Sequence, residues 1–140
     1  MLSSIYNQKV TILNKLKRAD SASNVDEWHK TVLNDAAWYS QVERTVQSSS
    51  VAIGSYIVCL IPYHEEFLAY SDWKQEGKQD SHYTISSGDY IVLGEVEEEI
   101  TASNVVSIMS KYEPNVCTVK HFEVAHDRFG STVQLRVEGT

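Results

Sequence analysis

Residues Tyr56 to Ile61 read Tyr-Ile-Val-Cys-Leu-Ile, apolar at every position, and Pro62 ends the run. Successive side chains of a strand point to opposite faces, so a half-exposed strand alternates apolar and polar. A run apolar in both rows means a strand covered on both sides. Its β-branched content favours strand over helix, and it falls far short of the roughly 18 apolar residues needed to cross a bilayer. The expectation is a central strand. One of its rows (Ile57, Cys59, Ile61 or Tyr56, Val58, Leu60) is then covered by a partner or by the segment that follows it.

Short strands recur along the rest of the chain. Val10, Ile12 and Leu16 alternate with Thr11, Leu13 and Lys15, and Glu27 to Leu33 is a second strand carrying Trp28, Thr31 and Val32. The small polar stretch Arg18 to Asn24 between them predicts a hairpin tip. Asn34-Asp35 is a turn signal. Ala36 to Val46 then alternates, Trp38 and Val42 against Tyr39 and Gln41, as a third strand. Gln47 to Ser55 reads as a surface loop, and it and the 18–24 tip are expected to be mobile in an isolated subunit. Tyr90 to Leu93 and Glu95 to Ile100 predict two strands around Gly94. Val116 to Ala125 and Thr132 to Glu138 alternate, the latter most cleanly, with Val133, Leu135 and Val137 on one face.

Helical spacing appears twice. Phe67, Leu68, Tyr70 and Trp73 predict a short or partial helix within His64 to Gln79, and Val105, Ile108, Met109 and Tyr112 predict a helix within Thr101 to Tyr112, broken by Pro114. The fold expected is mainly β. It is one domain over 1–140, a small barrel or sandwich of about seven or eight short strands with one or two short helices.

Bulk properties exclude several function classes. The 140 residues, 42% apolar and 22% charged, suit one globular domain with a real core. The N-terminus, MLSSIYNQKV, lacks the apolar core and cleavage site of a signal peptide, so the chain is expected to stay where it is made. A net charge of −7, with Lys15-Leu16-Lys17-Arg18 as the one basic cluster, argues against tight adhesion to nucleic acid. Cys59 and Cys117 sit inside apolar patterns and read as buried free thiols rather than a disulfide.

No catalytic or metal motif emerges. His64-Glu65-Glu66 superficially matches HExxH, but Leu68 stands where a second histidine is needed, and there is no CxxC. His126-Asp127 is a polar strand end entering a turn, without a nucleophile elbow. Burial makes Cys59 inert as a nucleophile. The expectation is no enzyme and no cofactor. Glu95, Glu97, Glu98 and Glu99 form the one dense charge run. It reads as a solvated strand end or, more sharply, as an acidic rim facing a channel or a basic partner.

The hairpin YNQKVTILNKLKRADSASNVDEWHKTVLNDAAWYSQVE resembles the opening of tailed-phage head-closure and head–tail adaptor proteins. Those start with a "vtI" strand, a polar tip, a "W" strand and an "a.w..v" strand. The matching residues here are Val10, Thr11 and Ile12, then Trp28, then Ala37, Trp38 and Val42. SSGDYIVLGEVEEEIT resembles that family's "gDrIvyngkvyeI" hairpin through Gly88, Asp89, Ile91, Val92, Gly94, Val96 and Ile100. SYIVCLIP is similar to its "hrItIrY" strand, and the ending HFEVAHDRFGSTVQLRVEG to the closing strands of phage minor-capsid-type proteins. The 64–79 excursion and the 101–112 helix are extra to the simplest adaptors, which leaves stopper, adaptor and other minor capsid roles open.

The resemblance implies a structural subunit of the virion neck, made in the host cytoplasm. It would form a homo-oligomeric ring between a portal or adaptor protein and a tail protein, with genomic DNA only passing through and no membrane involved. Tyr56, Ile57, Cys59, Ile61 and Trp73 are the candidate interface, and the four glutamates the candidate channel lining. The competing class is a monomeric β-barrel binding module, OB-like or carbohydrate-binding.

Overall fold

A computed structural model of the chain describes residues 6–47 and 50–140, and side chains there outside 41–54. Six antiparallel strands close into a barrel in the order β1-β2-β3-β6-β5-β4. They are β1 (Gln8–Leu16), β2 (Glu27–Gln47), β3 (Ser50–Pro62), β4 (Tyr90–Leu93), β5 (Val116–His126) and β6 (Thr132–Gly139), with helices α1 (Tyr70–Trp73) and α2 (Val105–Tyr112). The expected class is correct, and the strand count falls to six.

The lower count has a local cause. The two strands expected at 27–33 and 36–46 are one strand, β2. Its first half pairs with β1 and its second half with β3. The register steps from Val10↔Leu33 to Gln8↔Ala36, so Asn34 and Asp35 form a bulge rather than a turn. A bulge bends a strand and raises its twist, which lets β2 pass from one side of the barrel to the other. β5 does the same, pairing with β4 through Val116–Thr118 and with β6 beyond, with an irregularity between Val119 and His121.

The expected loop at 47–55 is also strand: Gln47 ends β2 and Ser50 to Ser55 belong to β3, while 48–49 lie outside the described residues. The Arg18–Asn24 tip begins as a 3-10 turn, Arg18–Asp20. The Tyr70 hydroxyl ties this turn down, accepting from the Lys17 N–H (3.1 Å) and donating to Asp20 (2.8 Å).

Two apolar cores explain why β1 is buried on both faces. Val10, Ile12, Ala36, Cys59, Ile61, Ile91, Leu135 and Val137 fill the barrel, plugged by Tyr83 and Ile85 from the segment after α1. Leu13 and Val92 face outward under Val96, Ile100, Val105 and Met109. The apolar stripe of α2 thus covers the outside of the β1–β4 pair. Gly139 lets β3, β6 and β5 meet closely: a Cβ there would lie 1.9 Å from the Thr118 carbonyl oxygen.

The expected strand at Glu95–Ile100 is absent; β4 stops at Leu93. Side chains take over the backbone groups that a ladder would use. Buried Thr11 donates to the Gly94 carbonyl (2.8 Å) and accepts from the Val96 N–H (3.0 Å). The Lys30 ammonium gathers the carbonyls of Val96, Glu97 and Glu98 at 2.9–3.2 Å.

A second buried network fastens 84–89 to β1. Asn14 donates to the Thr84 carbonyl (2.6 Å) and to Asp89 Oδ2 (2.9 Å), while the N–H groups of Lys15 (3.1 Å) and Ser86 (3.0 Å) also donate to Asp89. Burial nevertheless pushes the Asp89 carboxyl up to about 6, against the opposing pull of these donors. The folded state therefore binds this proton more tightly than the unfolded chain. Its contribution to stability is full below the ordinary carboxylate range and is lost as pH rises through about 6. The unfolding free energy of the wild type minus that of Asp89→Asn should fall by roughly 2–3 kcal/mol between pH 4 and 7. Urea titrations of both proteins across that range measure it, and a flat difference would refute the assignment.

Candidate functional site

The β2 bulge re-aims one carboxylate. Asp35 Oδ2 lies 2.7 Å from His64 Nε2, and His64 Nδ1 lies 2.7 Å from the Tyr83 hydroxyl. His64 lies two residues past the end of β3, and Tyr83 is brought in by the Phe67↔Tyr83 bridge. Burial pushes the Tyr83 pKa strongly upward, and the nearby Asp35 charge adds to it, so the hydroxyl stays protonated. The chain is fully satisfied when Tyr83 donates to Nδ1 and Nε2–H donates to Asp35. The triplet buries Tyr83 to 1% exposure and leaves the His64 and Asp35 side chains partly exposed. It acts as a strut, holding 64–67 and 79–83 against the bulge.

The strut forms part of one wall of a groove of about 460 Å³. Facing His64 and Tyr83 are the residues from Lys30 to Asp35, and the groove closes at one end where Asp35 bonds across to His64. A groove over the face of a strand touches alternate residues, because side chains alternate. Consecutive lining means that the groove runs along the strand's edge. Among the described residues that edge has no strand partner: β1 pairs with Glu27–Ala36 on one side, and β3 joins β2 only from Ala37 onward.

The opposite end of β2 carries a second unpaired feature. β6 pairs with β3 no further than Ile57↔Gly139, yet β2 and β3 stay paired to Gln47↔Ser50. Gln41–Gln47 and Ser50–Ser55 therefore form a two-stranded arm beyond the barrel, roughly 20 Å long at the usual strand rise. The β1–β2 and β5–β6 tips lie at the other end of the barrel. The latter presents Phe129, 80% exposed, on a turn organised by Asp127, which accepts from the Phe129 and Ser131 N–H groups (2.8 and 3.0 Å).

The expected interface residues separate. Cys59, Ile61 and Trp73 are fully buried within the chain, so they are core, not contact surface. Trp73 donates to the His82 carbonyl (3.1 Å) and packs edge-on to His29. Tyr56 and Ile57 are half-buried at the base of the arm, where Ile57 lines shallow grooves with Pro114 and Thr140. In the outward row, Val58 is fully buried between its cross-strand neighbours Tyr39 and Glu138, so the chain itself covers it. Burial pushes both thiols up, that of Cys117 to about 11, and both cysteines are free.

The glutamates separate as well. Glu98 is bound by Lys111 (2.7 Å) and Tyr112 (2.5 Å), which hold its carboxyl down at about 2. Glu95 pairs loosely with Lys9 at 3.4 Å. Glu97 and Glu99, on either side of Glu98, are exposed. Among the described residues, no three His, Cys, Asp or Glu side chains cluster as a metal site would need. The Asp35–His64–Tyr83 strut carried no sequence signal, its members being 29 and 19 positions apart.

Residues 5–140 match the model of a family of unknown function, DUF6751. The chain belongs to the DUF6751 family. No curated protein and no solved structure matches it. For this DUF6751 chain the geometry itself carries the functional argument: a closed barrel with a projecting arm at one end, and, toward the other, two hairpin tips and an open strand edge.

Proposed function

We propose that this DUF6751 chain is a non-enzymatic structural subunit of the phage head–tail junction, assembling as a ring between the portal side and the tail side. The observation that carries the proposal is the arm. A two-stranded ribbon is marginal alone in water, and unpaired strand edges are normally blunted or covered. A ribbon kept beyond a closed barrel is explained by a neighbour that covers it. Phe129 at the far end gives that end an apolar knob of the kind enriched at protein contacts. The net charge of −7 suits a conduit through which DNA slides without sticking.

The test is the particle. The protein should be found in purified virions at a fixed multiple of the portal, and its loss should leave heads and tails unjoined. Virions that lack the protein, or that join normally without it, would end the proposal. A channel role falls to exposed Glu97 and Glu99 rather than to the pinned Glu98. Reversing both to Lys should leave assembly intact and change DNA retention or ejection. Normal delivery by that variant would reduce the run to a solvated face, and salt-sensitive failure to assemble would assign it to pairing with a neighbour.

A further inference from the structure

We infer that the groove along Lys30–Asp35 is a strand-addition site, and that its occupant is the β2–β3 arm of a second copy of this chain. The inference rests on the ring proposal and names the contact that would build the ring. Three observations converge on it. The groove lies beside an unpaired strand edge, so its recognition groups include backbone N–H and C=O, and an added strand would satisfy them. The arm offers the matching chemistry, because among the described residues Gln41–Gln47 and Ser50–Ser55 pair only with each other and keep an outer edge open. The lengths also agree, a groove spanning Lys30 to Asp35 against an arm strand spanning Ser50 to Ser55.

Placement decides between self-docking and exchange. Edge and arm belong to opposite ends of the same strand, β2, and a strand cannot lie alongside itself. Docking is therefore between copies and joins two different surfaces. Such head-to-tail contacts can propagate into closed rings or open filaments. The strut gives the groove a fixed far wall, since His64 and Tyr83 hold 64–67 and 79–83 at a set distance from the edge. Val32, 36% exposed on the edge, is the apolar residue that the incoming strand would cover.

Two variants separate the halves of the contact. In one, residues 42–55 are replaced by Asn-Gly, a two-residue turn that closes Gln41 onto Tyr56 and removes the arm. In the other, Val32→Lys places a charge on the edge, the device by which natural edges refuse strands. Circular dichroism and melting should show both folded. By light scattering each variant alone should be monomeric, and an equimolar mixture should reach twice the monomer mass and stop there.

In the isotope-labelled armless chain, adding the unlabelled Val32→Lys chain should shift the backbone amides of Lys30–Asp35 and slow their hydrogen exchange. If those amides do not respond at millimolar concentration, the inference is overturned. It is also overturned if the armless chain assembles as the wild type does. The ring proposal would survive either result, because it is judged separately by virion content and by the joining of heads to tails.

Discussion

Ile61→Asp should abolish the folded state at room temperature. Ile61 is fully buried in the barrel, directly opposite Leu135 on β6. The substitution removes about 1.5–3 kcal/mol of apolar burial. It also forces a carboxylate, or the proton needed to neutralise it, into an apolar core cluster, at a further cost of several kcal/mol. Domains of this kind hold only about 5–15 kcal/mol in total. Tyr63→Asp, just past the end of β3 at an exposed position, is the control and should melt close to wild type. Far-UV circular dichroism and urea titration read the result. A folded Ile61→Asp protein would show that the inner row of β3 had been assigned to the wrong face.

Trp73→Ala should cost about 3–5 kcal/mol, the range for removing a buried aromatic side chain. Although α1 is a single turn, its last residue is fully buried beside Tyr70 and edge-on to His29, with the indole N–H on the His82 carbonyl. Trp73→Phe keeps most of the volume but orphans that carbonyl, and should lose about 1–3 kcal/mol. Both losses appear in the isolated chain. Had Trp73 been a contact for a partner, the isolated chain would melt unchanged and only assembly would suffer, which is the result that would restore that role.

The segments legible in the sequence are those whose structure is set by neighbours along the chain. Thr132 to Glu138 alternates because one face of β6 meets the barrel, and Leu135 and Val137 are buried as expected, whereas Val133, near the tip, is half-exposed. Val105, Ile108, Met109 and Tyr112 share a face because α2 lies on the β1–β4 pair. The run Tyr56–Ile61 is indeed a strand, but the cover over Val58 comes from Tyr39 and Glu138 on adjacent strands, not from a partner. The misread segments depend on distant groups. Asn34-Asp35 carries identical local chemistry whether a chain turns back or bulges, and only pairing with β1 decides between them. Glu95–Ile100 alternates like a strand, yet Thr11 and Lys30 claim its backbone from more than sixty positions away.

Barrel closure also dictates an order of events during synthesis. β1, β2 and β3 follow one another as hairpins and can pair as soon as they emerge, and β5 and β6 form a local pair of their own. The joins that close the cylinder, Val10↔Leu93 and Ile57↔Gly139, link residues some eighty positions apart. The N-terminal sheet must therefore wait with open flanks while the ribosome delivers the rest, and loop-closure entropy makes the last join the slow one. The seam from Ile57↔Gly139 to Pro62↔Gln134 thus forms only after β6 has been made.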